Sequence, residues 1–138
     1  MKNSRLQFKN PRLLKLDYML NKNFKNEGYI NLDVKSNTSI KKSENIAFVS
    51  LELNIFDKAN SDNNPFYIDI CMDGQFFWDE SFTKEQIDKL LKANGSAILL
   101  SYIRPYITTI TVGAGFPPLI LPLMDFTDND CSFEKSEE

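Results

Sequence analysis

Few side chains in this 138-residue sequence could carry out covalent chemistry. The chain contains no histidine, which excludes Ser/His/Asp and Cys/His catalytic arrangements. None of its five glycines lies in a GxxxxGK or GxGxxG phosphate-binding motif, so ATP chemistry is not expected. Asp79 and Glu80 are adjacent carboxylates, but such neighbours on an exposed loop are usually solvated surface. We therefore expect a protein that is not an enzyme.

The two cysteines do not indicate a disulfide framework or a metal site. Cys71 and Cys131 lie far apart, form no CxxC motif and have no histidine to join them as ligands. No apolar signal segment opens the chain, and no apolar run is long enough to span a bilayer. We expect a cytoplasmic protein with no metal and no cofactor.

The segment Gly115–Phe126, GFPPLILPLMDF, is the most informative stretch for non-covalent chemistry. It is strongly apolar, yet its three prolines exclude a helix interior or a central strand. We call residues 115–126 the ribbon and expect it to be extended. Either it packs as an irregular wall of the core, or it borders a surface that receives an apolar partner.

Composition and charge indicate one globular domain, residues 1–126, followed by an acidic tail, residues 127–138. The net charge of −3 argues against nucleic-acid binding. Residues 1–45 hold ten Lys/Arg against four Asp/Glu, whereas residues 125–138 hold one against six. We expect the tail to be solvated.

The elements that must position the ribbon are strands followed by helices. Alternation of apolar and polar residues predicts four strands with mostly short links, which suggests an antiparallel meander, at residues 14–20, 30–35, 46–57 and 66–78. Gly74 predicts a bulge or bend in the last strand. A capping box at Thr83 and Gln86 begins a short helix that ends near Gly95. A longer helix from Ser96 should kink, or divide into two, at Pro105.

Two blocks of this sequence resemble the SecB family of bacterial preprotein-export chaperones. FYIDICMDGQF, residues 66–76, resembles the family's fourth strand. Residues 97–126 resemble its long helix, with a Tyr-x-Arg pair at Tyr102 and Arg104, followed by the Gly-Phe-Pro turn and the ribbon. Ser101 stands where the family commonly has proline, and Pro105 appears later.

The resemblance implies an α+β fold, a four-stranded antiparallel sheet with helices packed on one face, assembled as a dimer of dimers. Only twelve residues follow Phe126. They are polar and acidic, so we expect the family's C-terminal helix to be short or absent. The implied function is a holdase that captures unfolded preproteins without ATP and delivers them to the SecA motor.

Candidate binding residues follow from the resemblance together with the residue types. Tyr67 and Asp69 are the expected SecA contacts, with Asp17 and Asp73 as further candidates. Ile68, Ile70 and Met72 are expected to support oligomer assembly. Apolar and aromatic residues on the ribbon and after Gly74 are expected to bind peptide; they are Phe76, Phe77, Trp78, Phe116, Leu119, Ile120, Leu121, Met124 and Phe126.

Other interpretations of these residues stay open. Each apolar candidate could simply be core, and Asp69 could be a solvated residue on a strand face. The chaperone could also serve one antitoxin in a toxin–antitoxin system instead of many preproteins. A third possibility is a small α+β module whose ribbon closes a lipid-sized cavity. An open groove on an oligomer would favour a chaperone, and an enclosed pocket in a monomer would favour a ligand-binding module.

Overall fold

The structure is a computed structural model that describes residues 5–25, 30–56, 63–127 and 131–135, the last of these for the backbone only. Its strands are β1 (Leu6–Leu20), β2 (Val34–Ser43), β3 (Ile46–Ile55), β4 (Phe66–Trp78) and β5 (Cys131–Lys135). Its helices are α1 (Lys84–Leu90) and α2 (Ser96–Gly113), joined by one π-helical turn, Leu91–Gly95.

The strands form one sheet in the order β1-β4-β3-β2-β5. The first four pair antiparallel, which confirms the four-stranded antiparallel sheet. The expected meander is wrong for β1, which pairs with β4 instead of β2. A two-residue turn at Glu44 and Asn45 keeps β2 and β3 adjacent. Strands β4 and β3 lie between β1 and β2 in the sheet, and residues 21–33 connect β1 to β2 in the sequence.

Strand β2 lies further along the chain than the alternation at residues 30–35 predicted. Ile30 and Leu32 precede it and are exposed. The more polar segment Val34–Ser43 forms the strand because all ten of its residues pair with β3. Backbone pairing in a hairpin depends on the turn and the register more than on side-chain hydrophobicity.

One face of the sheet, which we call the inner face, packs against α2 and forms the core. The alternate residues of β3 from Ala47 to Ile55 and the even-numbered residues of β4 are buried there. Leu99, Ile103 and Ile107 of α2 cover them. The helices therefore pack on one face, as the resemblance implied. The opposite side is called the outer face.

The irregularity expected at Gly74 lies in the neighbouring strand. Gly74 stays paired with Val49 of β3, while the register of β1 shifts opposite it, where Asn10 has a left-handed φ of 56°. A Cβ atom at Gly74 would lie 2.2 Å from Cε2 of Phe8. Glycine at this position is therefore explained by the close approach of the Phe8 ring.

The two predicted helices are continuous with each other. Thr83 and Gln86 form the expected reciprocal capping box before α1. Gly95 does not end a helix, because its φ of −60° and ψ of −47° are helical. Pro105 does not divide α2 into two helices. The carbonyl of Ser101, which loses its partner at Pro105, belongs to an exposed residue, where water can hydrate it.

Candidate functional site

The ribbon begins in a turn whose backbone conformation at residue 115 favours glycine. Helix α2 ends with backbone hydrogen bonds from Gly115 to Val112 and from Phe116 to Thr111. Gly115 has a φ of 94°, a conformation that residues with a side chain rarely adopt. This turn reverses the chain, so that the ribbon runs back along α2.

Polar side chains of α2 hold the ribbon backbone in place. Arg104 Nε donates to the Leu121 carbonyl at 2.8 Å, and Thr108 Oγ1 donates to the Leu119 carbonyl at 2.9 Å. The Leu119 amide donates to Thr111 Oγ1 at 3.0 Å. These bonds satisfy backbone groups that a strand would pair with another strand. The ribbon contains neither helix nor strand, as its prolines predicted.

The ribbon has a buried side and an exposed side. Leu121 and Phe126 are in the core, with 0% and 3% exposure. Ile120 and Leu123 are 66% and 81% exposed, and Phe116, Leu119 and Met124 are half-buried. The ribbon therefore forms a wall of the core on one side, as the first interpretation expects, and presents apolar side chains to solvent on the other.

The aromatic residues after Gly74 do not extend this surface. Phe76, Phe77 and Trp78 remain paired with β1 instead of bending away from the sheet. Phe76 and Trp78 are buried in the core. Phe77 belongs to the outer face, with Lys9 Nζ 5.2 Å from its ring centre. The expected grouping with the ribbon is thus corrected, because the alternation along β4 directs two rings inward and one to the opposite face.

Ile68, Ile70 and Met72 do not form an accessible surface for a second chain. Their exposures are 2%, 0% and 2%, because β1, β3 and α2 surround the inner face of β4. These three side chains belong to the core of the single chain, and their expected role in assembly stays a prediction. The exposed apolar side chains of α2 are instead Tyr102, Tyr106 and Val112.

Tyr67 and Asp69 lie together on the outer face. They border a depression of about 740 Å³, open to solvent, that also includes Asp17 and Lys15. Lys15 Nζ is 2.5 Å from Asp69 Oδ2 and 3.7 Å from Asp17 Oδ2. Asp33 and Lys35 also line the depression, so its charge is mixed, with three carboxylates against two lysines.

Two basic side chains of β1 organise these carboxylates, and the sequence analysis missed both. Arg12 donates to both oxygens of Asp73, at 3.0 and 2.7 Å. Asp73 raises the pKa of Arg12, and Asp69 raises that of Lys15, in each case mainly through the hydrogen bond. Both bases are largely exposed, so the pairs orient the carboxylates more than they stabilise the fold. The long-range pairing of β1 with β4, which the sequence did not reveal, creates them.

Glu52 of β3 was also missed, although alternation placed it on the polar face. It pairs in register with Cys71, beside Asp69. Burial raises the pKa of Glu52, and the hydrogen bond and charge of Asp69 raise it further. Asp69 Oδ1 is a buried atom that accepts no hydrogen bond from the described residues. Burial, with these carboxylates, raises the pKa of Cys71 to about 11.

In the described ranges, no three His, Cys, Asp or Glu side chains are grouped as metal ligands. None of the described helices is both long and apolar enough to cross a membrane.

Comparison with known sequences identifies the family. Residues 8–129 match the family model for preprotein translocase subunit SecB. An uncharacterised protein of Methanocaldococcus jannaschii is 29% identical over 96% of this chain and 87% of its own length. The protein-export protein SecB of Anaplasma marginale is 26% identical over 88% of this chain and 72% of its own length.

A solved structure shares the fold. It is a SecB-like chaperone of Mycobacterium tuberculosis in complex with a ChAD peptide from an antitoxin. It superposes with a TM-score of 0.65 at 20% identity, covering 88% of this chain and 91% of that chain. Because the family model spans most of the sequence and the SecB-like sheet and helices are present, the chain belongs to the SecB family of preprotein translocase subunits.

Proposed function

We propose that this chain is an ATP-independent holdase of the cytoplasm that binds unfolded preproteins through the exposed side of its ribbon. The observation that carries the proposal is the exposure of Ile120 and Leu123 on a backbone that α2 holds by hydrogen bonds. Ordered apolar surface of this kind is uncommon on a protein that binds nothing.

An unfolded client requires an apolar surface that accepts many sequences. The prolines of the ribbon limit its backbone freedom, and Arg104 and Thr108 hold it in place, so little entropy is lost when a client binds. Half-buried Met124 and Phe116 beside the exposed residues can adapt to different side chains. Several weak contacts along one client then combine by avidity, without nucleotide hydrolysis.

Delivery to SecA is proposed to use the outer face, through Tyr67 and Asp69. The sheet separates this face from α2 and the ribbon on the inner face. A partner could therefore dock there while the client is still held. Asp17 lines the same depression as Tyr67 and Asp69, whereas Asp73 is 8% exposed and lines a second depression beside Arg12. Both are proposed as supporting contacts.

A homotetramer, a dimer of dimers, is part of the proposal. Two surfaces support it. β1 is a long strand at one edge of the sheet and carries exposed Leu14, Met19 and Leu20. Helix α2 exposes Tyr102 and Tyr106, and tyrosine is favoured at interfaces.

A refolding assay tests the proposed function. The protein should slow the refolding of a denatured secretory precursor in the absence of ATP. The double variant I120D/L123D should lose most of this effect, because charge replaces the apolar surface. Ile46→Asp is the matched control, since Ile46 is an exposed apolar residue of the outer face. The proposal fails if the wild-type protein does not slow refolding.

A dedicated antitoxin client is the second candidate function. The M. tuberculosis protein, which has the same fold, is in complex with an antitoxin peptide. If one labile partner is the client, the chain should stabilise a co-expressed antitoxin from a neighbouring gene and leave secretory precursors unaffected. The reverse result supports the preprotein holdase.

A module for small apolar ligands is the third alternative, and an enclosed cavity lined by the ribbon would favour it. Two depressions on the described surface are open and border the outer face. Neither is lined by the ribbon.

A further inference from the structure

Strand β2 is covered by a C-terminal segment of its own chain. β3 pairs with one side of β2, and β5 pairs with the other, with Thr38 opposite Cys131 and Lys42 opposite Lys135. Without β5, this row of backbone groups would be the edge of the sheet. Such an edge can pair with any extended polypeptide.

The pairing of β5 differs from every other pairing in the described sheet. It is parallel and has five register pairs, whereas β2 and β3 pair antiparallel through ten. Parallel pairing is slightly less stable per residue, and a short strand adds few hydrogen bonds. β5 is therefore the strand that another segment can replace at the least cost.

The sequence of the tail also indicates a weak occupant. The tail, residues 127–138, contains five Asp/Glu and one Lys/Arg, and a segment this polar has little β-propensity. The paired part of β2 includes Thr38 and Ile40, both fully buried. An extended client segment richer in β-branched or aromatic residues offers the same backbone groups with a stronger preference for a strand.

We propose that residues Cys131–Lys135 act as an internal competitor, which occupies the β2 edge until an extended segment of an unfolded client pairs with Thr38–Lys42 in their place. The inference rests on the proposed holdase function and adds a backbone contact to the apolar contact with the ribbon. Phe126, at the end of the ribbon, is 3% exposed. It anchors the chain ahead of β5, so displacement of β5 leaves the ribbon in position.

A reversible disulfide tests this competition within one protein. Ser39 and Ser132 are register partners in β2 and β5, and neighbouring strands are about 5 Å apart, a spacing that a disulfide can bridge. The variant S39C/S132C, with Cys71 and Cys131 replaced by serine, should form this bond on oxidation. The probe is fluorescently labelled, reduced and carboxymethylated α-lactalbumin, which stays unfolded.

The oxidised form should bind the probe at least about tenfold more weakly than the reduced form of the same protein. S39C without S132C, given the same oxidant, is the control and should bind equally in both states. Equal affinity of the oxidised and reduced double variant overturns the inference. Failure of the disulfide to form under oxidant also overturns it, because the tail then does not lie on β2.

Deletion of residues 128–138 gives an independent measurement. The shortened chain should bind the probe about three- to tenfold more tightly, since the internal competitor is gone. A synthetic peptide of residues 128–138 should reverse the gain. If no form of the protein binds the probe, the holdase function itself fails. If all forms bind it equally, the holdase function stands and the competition is refuted.

Discussion

The inner and outer sides of the sheet differ in which groups are exposed and which groups hold them in place. On the inner side, an apolar ribbon is exposed, and polar side chains of α2 hold its backbone. On the outer face, Arg12 and Lys15 of β1 are more exposed than the carboxylates of Asp73 and Asp69 with which they pair. On the inner side, polar side chains hold an apolar segment, and on the outer face, cations hold carboxylates. In both regions the surface is therefore ordered before a partner binds.

The core between the two faces should be the most sensitive region. Ile70→Ala should lower the free energy of unfolding by about 2–5 kcal/mol, because it leaves a cavity at a residue with 0% exposure. Urea denaturation measures this change, and Ile46→Ala on the outer face is the control. Dissociation of the oligomer with unchanged monomer stability would contradict the assignment of Ile70 to the core.

The hydrogen bonds that hold the ribbon on α2 should be needed for client binding. Arg104→Ala removes the bond to the Leu121 carbonyl and should cost about 1.5–3 kcal/mol of stability, since a charged donor is lost. Client retention in the refolding assay should fall with it. Arg104→Lys keeps the charge and should restore only part of the effect. Full client binding by Arg104→Ala would separate ribbon order from function.

The outer face should respond to charge without any change on the inner side. Asp69→Lys should weaken SecA binding about tenfold, by placing two cations side by side at Lys15. Binding of unfolded client, measured in parallel, should stay the same. Ile46→Lys is the control, because Ile46 is exposed on the same face and pairs with Phe77, away from Tyr67 and Asp73. Equal loss of both activities would mean that Asp69 is structural.

The smallest expected effect is the pH dependence caused by Glu52. Its pKa is raised in the folded chain, so its contribution to stability is present below the ordinary glutamate pKa. That contribution is lost as the pH rises through the raised value. Glu52→Gln should therefore be more stable than the wild type above this window, and the difference should vanish towards low pH. Thermal unfolding of both proteins from about pH 4, near the ordinary glutamate pKa, to about pH 8 measures this difference. A difference in unfolding temperature that stays constant with pH would contradict a raised pKa.

Patterns among residues close together in the sequence predicted several elements correctly. The capping box at Thr83 depends on residues three apart, and the alternation of β4 depends on residues two apart, so both were recognisable in one sequence. The extended ribbon followed from proline geometry alone. The position of β2 did not follow, because pairing with β3 selected a more polar segment.

The candidate site was predictable only in part, for a related reason. Proline and apolar residues indicated where the ribbon lies, but not that Leu121 would be buried while Ile120 is exposed. That division depends on where Arg104 and Thr108 hold the backbone. Likewise, the grouping of Phe76 and Trp78 with the ribbon failed because the direction of a side chain in β4 depends on which face α2 covers.

The sequence by itself determined the family, the strand and helix types and the presence of a stiff apolar segment, since each depends on neighbouring residues. The tertiary structure decided the order of strands, the charge pairs between β1 and β4, and the covering of β2 by the tail. These features join residues far apart in the chain. Their formation depends on which contacts the whole fold can satisfy together, and no local pattern contains that information.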